Sequence, residues 1–386
     1  MGRRRFDLDA RVVIIFLVVS IPLVAAGAFL VVGLIRSSLR DAIEVSLEQR
    51  ALETKLLLER YMADQIVHLR LLAVDPQVRS SVTARARKPE ELQKQKQAWA
   101  QASGGPATTA ITGSPLAGRL REMASVRPAV HLLQVIDSTG HVIASSSRAG
   151  RFDHSEADWF RALAHGDATG PHIGDVHRPP GSALSLLEID YPILEPDTGQ
   201  WLGAVHALLD SGDLYGVLGP VRIGRTGRAA LVRAEDGLIV AADESKKVLT
   251  DKFGGFELIQ AAIAAGQQHW TIPEIRTKAK TGETVTREAR LVAYSPVEQV
   301  PQLSWIVVVE QDLAEALSPI ASVSRYLWLH FFAAFGSLAA LAAYISLGLN
   351  RPVIERALHL HEEHVPASMR RRRTDQDDET ESERAG

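Results

Sequence analysis

Two uncharged, apolar runs stand out from the pattern of hydrophobic and polar positions along the chain. They cover residues 12–35 and residues 326–349, the second between Arg325 and Arg351. A helix of about 24 residues, at about 1.5 Å each, is roughly 36 Å long and can cross a hydrocarbon core of about 30 Å. A charge at the bilayer centre costs at least about 2.5 kcal/mol, so charge-free runs of this length are typical of membrane spans. The pattern predicts two transmembrane helices.

A cleavable signal peptide is the alternative interpretation of the first run. Residues 1–5 give it a basic start, and Ala26-Gly27-Ala28 has the small residues of a cleavage site. Apolar residues continue through Leu34, however, where a mature chain would turn polar. This continuation favours an uncleaved anchor.

The arginines that flank the two runs predict their orientation. Before the first run and after the second they are Arg3, Arg4, Arg5, Arg11, Arg351, Arg356 and Arg370–Arg373. Positive charge concentrates on the cytoplasmic side of a membrane. We therefore expect both termini (residues 1–11 and 350–386) in the cytoplasm of a bacterium, two spans in its inner (plasma) membrane, and residues 36–325 outside.

The outer segment begins with helical spacing and continues into a polar stretch. Apolar residues recur at helical intervals from Ser37 to about Leu72, and neither Gly nor Pro interrupts them before Pro76. This predicts one long helix over residues 36–75. Residues 84–125 are polar and contain Gly-Pro and Ser-Pro steps, which indicate a mobile insertion with a short helix near residues 92–99.

A strand–turn–strand pattern then occurs twice. Residues 133–144 and 230–241 each combine two apolar strands with a polar, glycine-containing turn, about 97 residues apart. Each copy is followed by a Tyr/Pro strand (residues 191–193 and 294–297) and an apolar strand (residues 201–207 and 304–309). The matching intervals indicate a duplicated unit. Antiparallel strands with helices on one face predict an α+β fold of two lobes.

The order of four features matches a known family: the long helix, the strand pair around Asp137 and Gly140, the segment 153–163 and the segment 224–231. Together they resemble the double Cache family of PAS-like sensor domains, which form the outer part of bacterial chemoreceptors, sensor histidine kinases and diguanylate cyclases. The resemblance covers roughly residues 36–320. It implies a membrane-distal lobe (residues 125–220) that holds the ligand and a membrane-proximal lobe (residues 221–315) that passes the signal on.

Polar and aromatic residues of the expected distal lobe form the candidate ligand site: Trp159, His172, Asp175, His177, Arg178, Tyr191 and Asp210. Ligand pockets combine aromatic walls with a few polar groups, so we expect hydrogen bonds to a small molecule held against Trp159 and Tyr191. The alternative is that Trp159 belongs to the core and the histidines are solvated.

The resemblance also bears on the class of ligand. Many members of the family have an Arg just before the Trp/Phe pair that binds a ligand carboxylate, but this sequence has Ala157 and Asp158 there. An amino-acid ligand is therefore in doubt. Asp210 matches the position at which amino-acid receptors hold the ligand amine.

We predict no catalytic residue, cofactor or metal ion. His172, Asp175 and His177 have suitable side chains for a metal, but their spacing is common by chance. The chain has no cysteine, which excludes thiolate sites and disulfides, and its net charge of −3 gives no reason to expect nucleic acid as a partner. No nucleophile elbow accompanies the Ser, His and Asp residues.

The residues after the second run predict no output domain. The histidines of His359-Leu-His361-Glu-Glu-His364 lack the spacing of a zinc protease. Arg370–Arg373 is expected to contact anionic lipid, and residues 375–383 to be disordered. We therefore expect a homodimeric, membrane-anchored sensor that passes ligand binding to a separate histidine kinase, cyclase or chemoreceptor. The alternative is an anchored ligand-binding or envelope assembly scaffold without signalling.

Overall fold

The structure, a computed structural model, describes residues 2–83, 89–101, 106–165, 170–180, 182–242, 248–267, 269–272, 275–278, 284–287, 289–300 and 302–363. Two compact units divide the chain: Met1–Ser38 with Ser318–Gly386, and Leu39–Leu317. The second unit contains both predicted lobes.

The helices of the described residues are concentrated before the first sheet and after the second. They are α1 (Gly2–Val74), α2 (Pro76–Thr83), α3 (Pro89–Ala100), α4 (Pro106–Thr112), α5 (Pro115–Ser125), α6 (Asp158–His165), α7 (Gly212–Leu218), α8 (Phe256–Ala264), α9 (Leu313–Ala316) and α10 (Ser318–Glu363).

The strands of the described residues form two five-stranded antiparallel sheets and one small hairpin. They are β1 (Val130–Asp137), β2 (Val142–Ser145), β3 (His172–Ile173), β4 (Leu186–Leu194), β5 (Trp201–Asp210), β6 (Arg228–Arg233), β7 (Ile239–Ala242), β8 (His269–Ile272), β9 (Ile275–Lys278), β10 (Thr284–Arg287), β11 (Arg290–Pro296) and β12 (Trp305–Asp312).

The two sheets have the same strand order. The distal sheet runs β2-β1-β5-β4-β3 and the proximal sheet runs β7-β6-β12-β11-β8. This correspondence agrees with the duplication that the sequence pattern predicted, and it gives every position in one lobe a counterpart in the other. Fold class α+β with a long N-terminal helix and two antiparallel sheets is therefore confirmed.

Each sheet has two differently packed faces because side chains alternate along a strand. In the distal sheet Ile189 and Val205 face a core that also contains Leu58 and Met62 of α1. The opposite face of the same sheet packs against Trp159 and Phe160 of α6 and Trp99 of α3. The second face is the one on which the candidate site lies.

Residues 84–125 contain more helix than the sequence predicted, although the short helix expected near residues 92–99 is present within α3. Within the described part of this segment the chain forms α3, α4 and α5, whose apolar side chains are buried: Trp99, Ile111, Leu116 and Leu120. Each of these three helices begins at a proline, as does α2. Proline fits the first turn of a helix because the N–H that it lacks would have no partner there.

The terminal unit contains the two apolar runs. Among the described residues one segment, Val18–Val74, is long and apolar enough to cross a membrane, and its most apolar window is exposed in the chain; a signal sequence would meet the same criteria. Residues 326–349 lie within α10. The expected tail features Arg370–Arg373 and residues 375–383 lie outside the described residues.

Candidate functional site

A row of five polar residues crosses the distal sheet from edge to edge. The strand registers pair His172 with Asp190, Asp190 with His206, His206 with Gln134, and Gln134 with Ser145. Directly paired residues of neighbouring strands project from the same face of a sheet. The register therefore assembles these side chains on the face covered by α6.

The centre of the row is a buried carboxylate beside a buried imidazole. Asp190 is 0 % exposed and His206 is 2 % exposed. His206 Nδ1 donates a hydrogen bond of 2.7 Å to Asp190 Oδ1. Within the described part of the chain, the other carboxylate oxygen, Asp190 Oδ2, has no hydrogen-bond partner, and neither has His172 Nδ1, which lies 3.4 Å from it. Buried polar atoms are normally hydrogen-bonded, so this part of the row is incomplete.

Aromatic and polar side chains cover the row. The ring of Trp159 stacks on His206 with a centroid distance of 5.4 Å and an interplanar angle of 12°. His154 Nε2 lies 3.1 Å from Gln134 Oε1, and its ring centroid is 4.8 Å from that of His206. Glu188, two residues before Asp190 on β4, places Oε1 3.5 Å from His206 Nδ1.

The charges of these groups depend on one another. Burial alone would lower the pKa of His206, but Asp190 and Glu188 outweigh it and raise this pKa above its ordinary value. Burial, and then the charge of Asp190, raise the pKa of Glu188. Burial, and then the charge of His206, lower the pKa of His154 to about 3, so that His154 is neutral at physiological pH. The protonation of the His206 imidazole is thus coupled to two neighbouring acidic groups.

The corresponding row in the proximal lobe is apolar. Its registers pair Ala242 with Ala230, Ala230 with Val308, and Val308 with Tyr294. These residues belong to the apolar cluster on the matching face of the proximal sheet. Because the same strand pairing is built there with apolar residues at these four positions, the fold itself does not require the polar row of the distal lobe.

A family comparison connects this architecture with known proteins. The model of the Cache domain family matches residues 35–320. The chain belongs to the Cache domain family. The match covers both lobes, and the predicted double Cache sensor domain is confirmed.

Solved structures similar to the chain include Cache-type sensory domains of chemoreceptors. The sensory domain of Campylobacter jejuni Tlp3 is 12 % identical, with a TM-score of 0.49 over 73 % of this chain and 98 % of its own. The ligand-binding domain of the Pseudomonas aeruginosa PAO1 amino acid chemoreceptor PctB, in complex with L-Arg, is 17 % identical, with a TM-score of 0.43 over 72 % of this chain and 97 % of its own. No curated protein matches the chain.

Two of the residues that the sequence singled out contact the central pair of the polar row in this Cache domain. Trp159 covers His206, and His172 contacts Asp190. The backbone of His177 pairs with Leu186 at the end of β4, and the His177 residue is exposed.

The other four residues lie away from the row. Tyr191 is on the opposite face of β4 and packs against the core that includes α1. Asp175 contacts Arg233 of the proximal lobe through Oδ2 at 2.6 Å, and Arg178 donates to the Val248 carbonyl, also in that lobe. Asp210 ends β5, and its Oδ1 accepts a hydrogen bond from the Gly212 N–H. Asp175 and Arg178 thus link the lobes, and ligand binding by any of the seven stays a prediction.

Sequence reasoning missed the residues that hold the cluster together, namely Gln134, His154, Glu188, Asp190 and His206. One signal for them was available. Glu188 and Asp190 are two residues apart within an otherwise apolar strand, with Leu187, Ile189 and Ile193 on the alternate positions. Acidic residues on one face of a strand in the middle of a sheet indicate a function for that face.

Proposed function

We propose that this chain is a membrane-anchored receptor whose Cache domain lies outside the cytoplasm and binds a small molecule on the polar face of the distal lobe. Binding is then passed across the inner membrane to a separate histidine kinase, cyclase or chemoreceptor. The proposal assigns the distal lobe to ligand binding and the proximal lobe to transmission.

The observation that carries the proposal is the contrast between the two lobes. Burying a carboxylate whose hydrogen bonds are incomplete destabilises the folded state by several kcal/mol. This is on the order of the stabilisation that burial of a large apolar side chain provides. The proximal lobe avoids this cost with Val308 and Tyr294 at the positions of His206 and Asp190. A polar row retained in one lobe only is explained by a ligand that completes its contacts.

The apolar runs support the anchoring part of the proposal. Cache sensor domains are extracytoplasmic, and the family match begins at residue 35, at the end of the first apolar run. It ends at residue 320, shortly before the second run. A domain bounded on both sides by charge-free segments of this length fits a protein with two spans.

A homodimer is part of the same proposal, and an exposed seam on α1 supports it. Apolar residues of this seam are about half exposed: Val45 50 %, Leu52 49 %, Leu56 52 %, Val67 50 % and Val74 44 %. Ala63 lies among them and is exposed. Exposed apolar patches with a regular spacing are typical of surfaces that bind another protein.

A thermal-shift screen of the full-length chain in detergent tests ligand binding. The panel contains amino acids, organic acids, polyamines and purines. A ligand present at 100 times its Kd stabilises the folded state by about 2.7 kcal/mol, which raises the melting temperature by several degrees.

Two variants locate the site of any compound that binds. We expect Asp190→Asn to abolish the thermal shift and Asp210→Ala to preserve it, since only Asp190 belongs to the polar row. A thermal shift that Asp210→Ala abolishes and Asp190→Asn preserves would indicate that the compound binds at the end of β5. A response that neither variant alters would remove the polar row from ligand binding.

Single cysteines test the topology, because the chain has none of its own. Asp197→Cys lies in the exposed turn after β4, and Ser382→Cys lies near the C-terminus. In intact cells whose outer membrane has been made permeable, we expect a membrane-impermeant maleimide to label Asp197→Cys at once. Ser382→Cys should react only after the inner membrane is opened. Labelling in the reverse order would reject the receptor.

A further inference from the structure

We propose that Glu188, Asp190 and His206 bind a divalent first-row transition-metal ion, with zinc as the representative case. This inference rests on the proposed function, because it assigns a chemical class to the ligand of the same face of the distal sheet. The metal ion is either the signal itself or the point at which a further small ligand attaches.

The first argument is the distance between donor atoms. One donor atom from each of the three residues can be chosen so that all three lie within 4.8 Å of one another. In tetrahedral coordination with bonds of about 2.1 Å, donor atoms are about 3.4 Å apart. The distance from His206 Nδ1 to Glu188 Oε1 is already 3.5 Å. The contact from His206 Nδ1 to Asp190 Oδ1, at 2.7 Å, has to open by about 0.7 Å. The proton that Nδ1 donates in this contact is released to solvent when the imidazole binds the ion.

The second argument is the incomplete hydrogen bonding of Asp190. This carboxylate is fully buried, yet Oδ2 has no hydrogen-bond partner among the residues that the structure describes. Carboxylates that ligate metals are in turn oriented by neighbouring polar groups. His172 Nδ1, 3.4 Å from Oδ2, is placed to do so once the carboxylate turns toward an ion. A bound cation would also reduce the repulsion between the two carboxylates.

The donor set narrows the choice of ion. Two carboxylates and one imidazole suit zinc, manganese, iron or nickel, whereas hard calcium and magnesium prefer oxygen donors alone. Three protein ligands also leave one position open, which is the pattern of zinc sites that bind an additional ligand. This position is where a small molecule would bind directly to the ion.

An organic cation is the competing occupant, and the burial of the cluster counts against it. Asp190 is 0 % exposed, and the ring of Trp159 stacks on His206, the hydrogen-bond partner of Asp190. Donor atoms spaced as described enclose room for a single ion. An alkylammonium group also carries a carbon substituent, which needs space beside this fully buried carboxylate.

Isothermal titration of the full-length chain in detergent tests the proposal. The protein is treated with EDTA, transferred to metal-free buffer and titrated with zinc chloride or magnesium chloride. We expect one zinc ion per chain and much weaker binding of magnesium. Glu188→Gln and Asp190→Asn should each weaken zinc binding by more than about 100-fold, since removal of a direct ligand exceeds the 10–100-fold effect of a neighbouring residue.

The control is His68→Ala, which removes a surface imidazole that lies 3.6 Å from Asp64 on α1. We expect His68→Ala to bind zinc like the wild type. Binding that both Glu188→Gln and Asp190→Asn retain would overturn the site, as would the absence of binding in the wild type. Glu188 is only partly buried, so Glu188→Gln keeps the test valid if Asp190→Asn does not fold.

The same samples separate this inference from the proposed function. If an organic compound from the panel shifts the melting temperature of EDTA-treated protein that binds no zinc, the receptor stands and the metal site is rejected. If zinc binds and itself raises the melting temperature through Asp190, both stand. If neither zinc nor any compound on the panel binds, the metal site is rejected and the receptor loses its support.

Discussion

At the residue scale, the buried pair of His206 and Asp190 stabilises the fold less than apolar residues at the same positions would. Removing one partner of a buried charged pair costs about 3–5 kcal/mol, whereas replacing both with apolar residues is neutral or stabilising. Val308 and Tyr294 of the proximal lobe show that this sheet position accepts such residues.

The pair therefore predicts a non-additive effect on stability. His206→Leu alone should lower the free energy of unfolding by about 3 kcal/mol, because it leaves the carboxylate of Asp190 without its hydrogen bond. The double variant His206→Leu/Asp190→Leu should recover most of that loss while binding no ligand. Urea unfolding of the wild type, the single variants His206→Leu and Asp190→Leu, and the double variant measures the difference. A double variant as unstable as the sum of the single changes would contradict the interpretation.

Asp153 gives a prediction for pH dependence. Burial alone would raise the pKa of Asp153, but hydrogen bonds from Lys96 and Ser155 outweigh it and hold the pKa well below its usual value. The Lys96 Nζ–Asp153 Oδ2 distance is 2.7 Å, and this contact attaches α3 to the loop that carries His154. Because the folded pKa lies below the unfolded value of about 3.9, the unfolded state binds more protons in this range.

It follows that ionised Asp153 stabilises the protein at pH values above its unfolded pKa. This stabilisation decreases as the pH falls below the unfolded pKa and is lost as the pH falls through the lower, folded pKa. At pH 7, Asp153→Asn should reduce the free energy of unfolding by on the order of 2 kcal/mol, the value for hydrogen bonds to a charged group. The gap between variant and wild type should narrow from about pH 5 downward. Asp158→Asn, a change at an exposed carboxylate, should have little effect at pH 7. A loss of unfolding free energy in Asp153→Asn that does not change with pH would contradict this role of the ionised Asp153.

At the element scale, the alternation of apolar and polar residues and the repeated strand–turn–strand pattern predicted the sheets. The side chains of the site, however, are brought together by the register in which the strands pair. The alternation along β4 is sufficient to predict from the sequence that Glu188 and Asp190 share one face. Their approach to His206 and His172 depends on the pairing of β4 with β5 and β3, and a shift of one residue would move each side chain to the other face. The hairpin turn at residues 195–200, with Gly199 at a positive φ, joins β4 to β5 and is a local signal for that pairing. Residues 174–185 join β3 to β4 without such a short turn, so the approach of His172 to Asp190 could not be predicted.

The helices before β1 show a different limit of prediction. Gly-Pro and Ser-Pro steps were interpreted as loops, although Pro106 and Pro115 begin helices. For α5 the signal was more complete, since Ser114 is an N-cap whose Oγ accepts a hydrogen bond from the Ala117 N–H. Serine before proline and an apolar run is a start signal for a helix.

The contact between β6 and the segment after β3 predicts energetic coupling of the lobes. Arg233 pairs with Asp175 across the lobes and with Asp236 inside its own lobe. A double-mutant cycle on Asp175→Ala and Arg233→Ala should give a coupling energy of up to about 1 kcal/mol, as expected for a partly exposed ion pair. Urea unfolding measures it. Asp175→Ala with Arg178→Ala provides the control, and equal coupling in both cycles would contradict a specific pair.

At the scale of the whole molecule, two lobes with the same strand order differ in the residues of one corresponding row. Both sheets contribute to a single apolar core that includes Leu58 and Met62 of α1, so both lobes contact the same helix. The polar row distinguishes the distal lobe, and the corresponding row of the proximal lobe consists of apolar residues. A ligand that alters the packing of the distal sheet on α1 therefore acts on an element that the proximal sheet also contacts.

The seam on α1 carries the corresponding prediction for assembly. Val45, Leu56 and Val67 are spaced 11 residues apart, and so are Leu52, Ala63 and Val74. An 11-residue repeat keeps its apolar positions on one side of a nearly straight helix, because it corresponds to about 3.67 residues per turn. Two copies of the chain in one membrane are parallel, so the seam of one faces the seam of the other.

Oxidative crosslinking in membranes tests this arrangement, because single cysteines can be introduced into a chain that has none. Leu52→Cys and Leu56→Cys should give disulfide-linked dimers, since a disulfide needs Cα atoms within about 4.4–6.8 Å. Leu57→Cys is the matched control: Leu57 is 54 % exposed, like Leu56 at 52 %, but the next residue along a helix points about 100° away from the seam. Efficient crosslinking at Leu57→Cys, or its absence at both seam positions, would show that α1 does not pair along this face. Crosslinking that changes when the ligand is added would place the seam on the path from the distal lobe to the membrane.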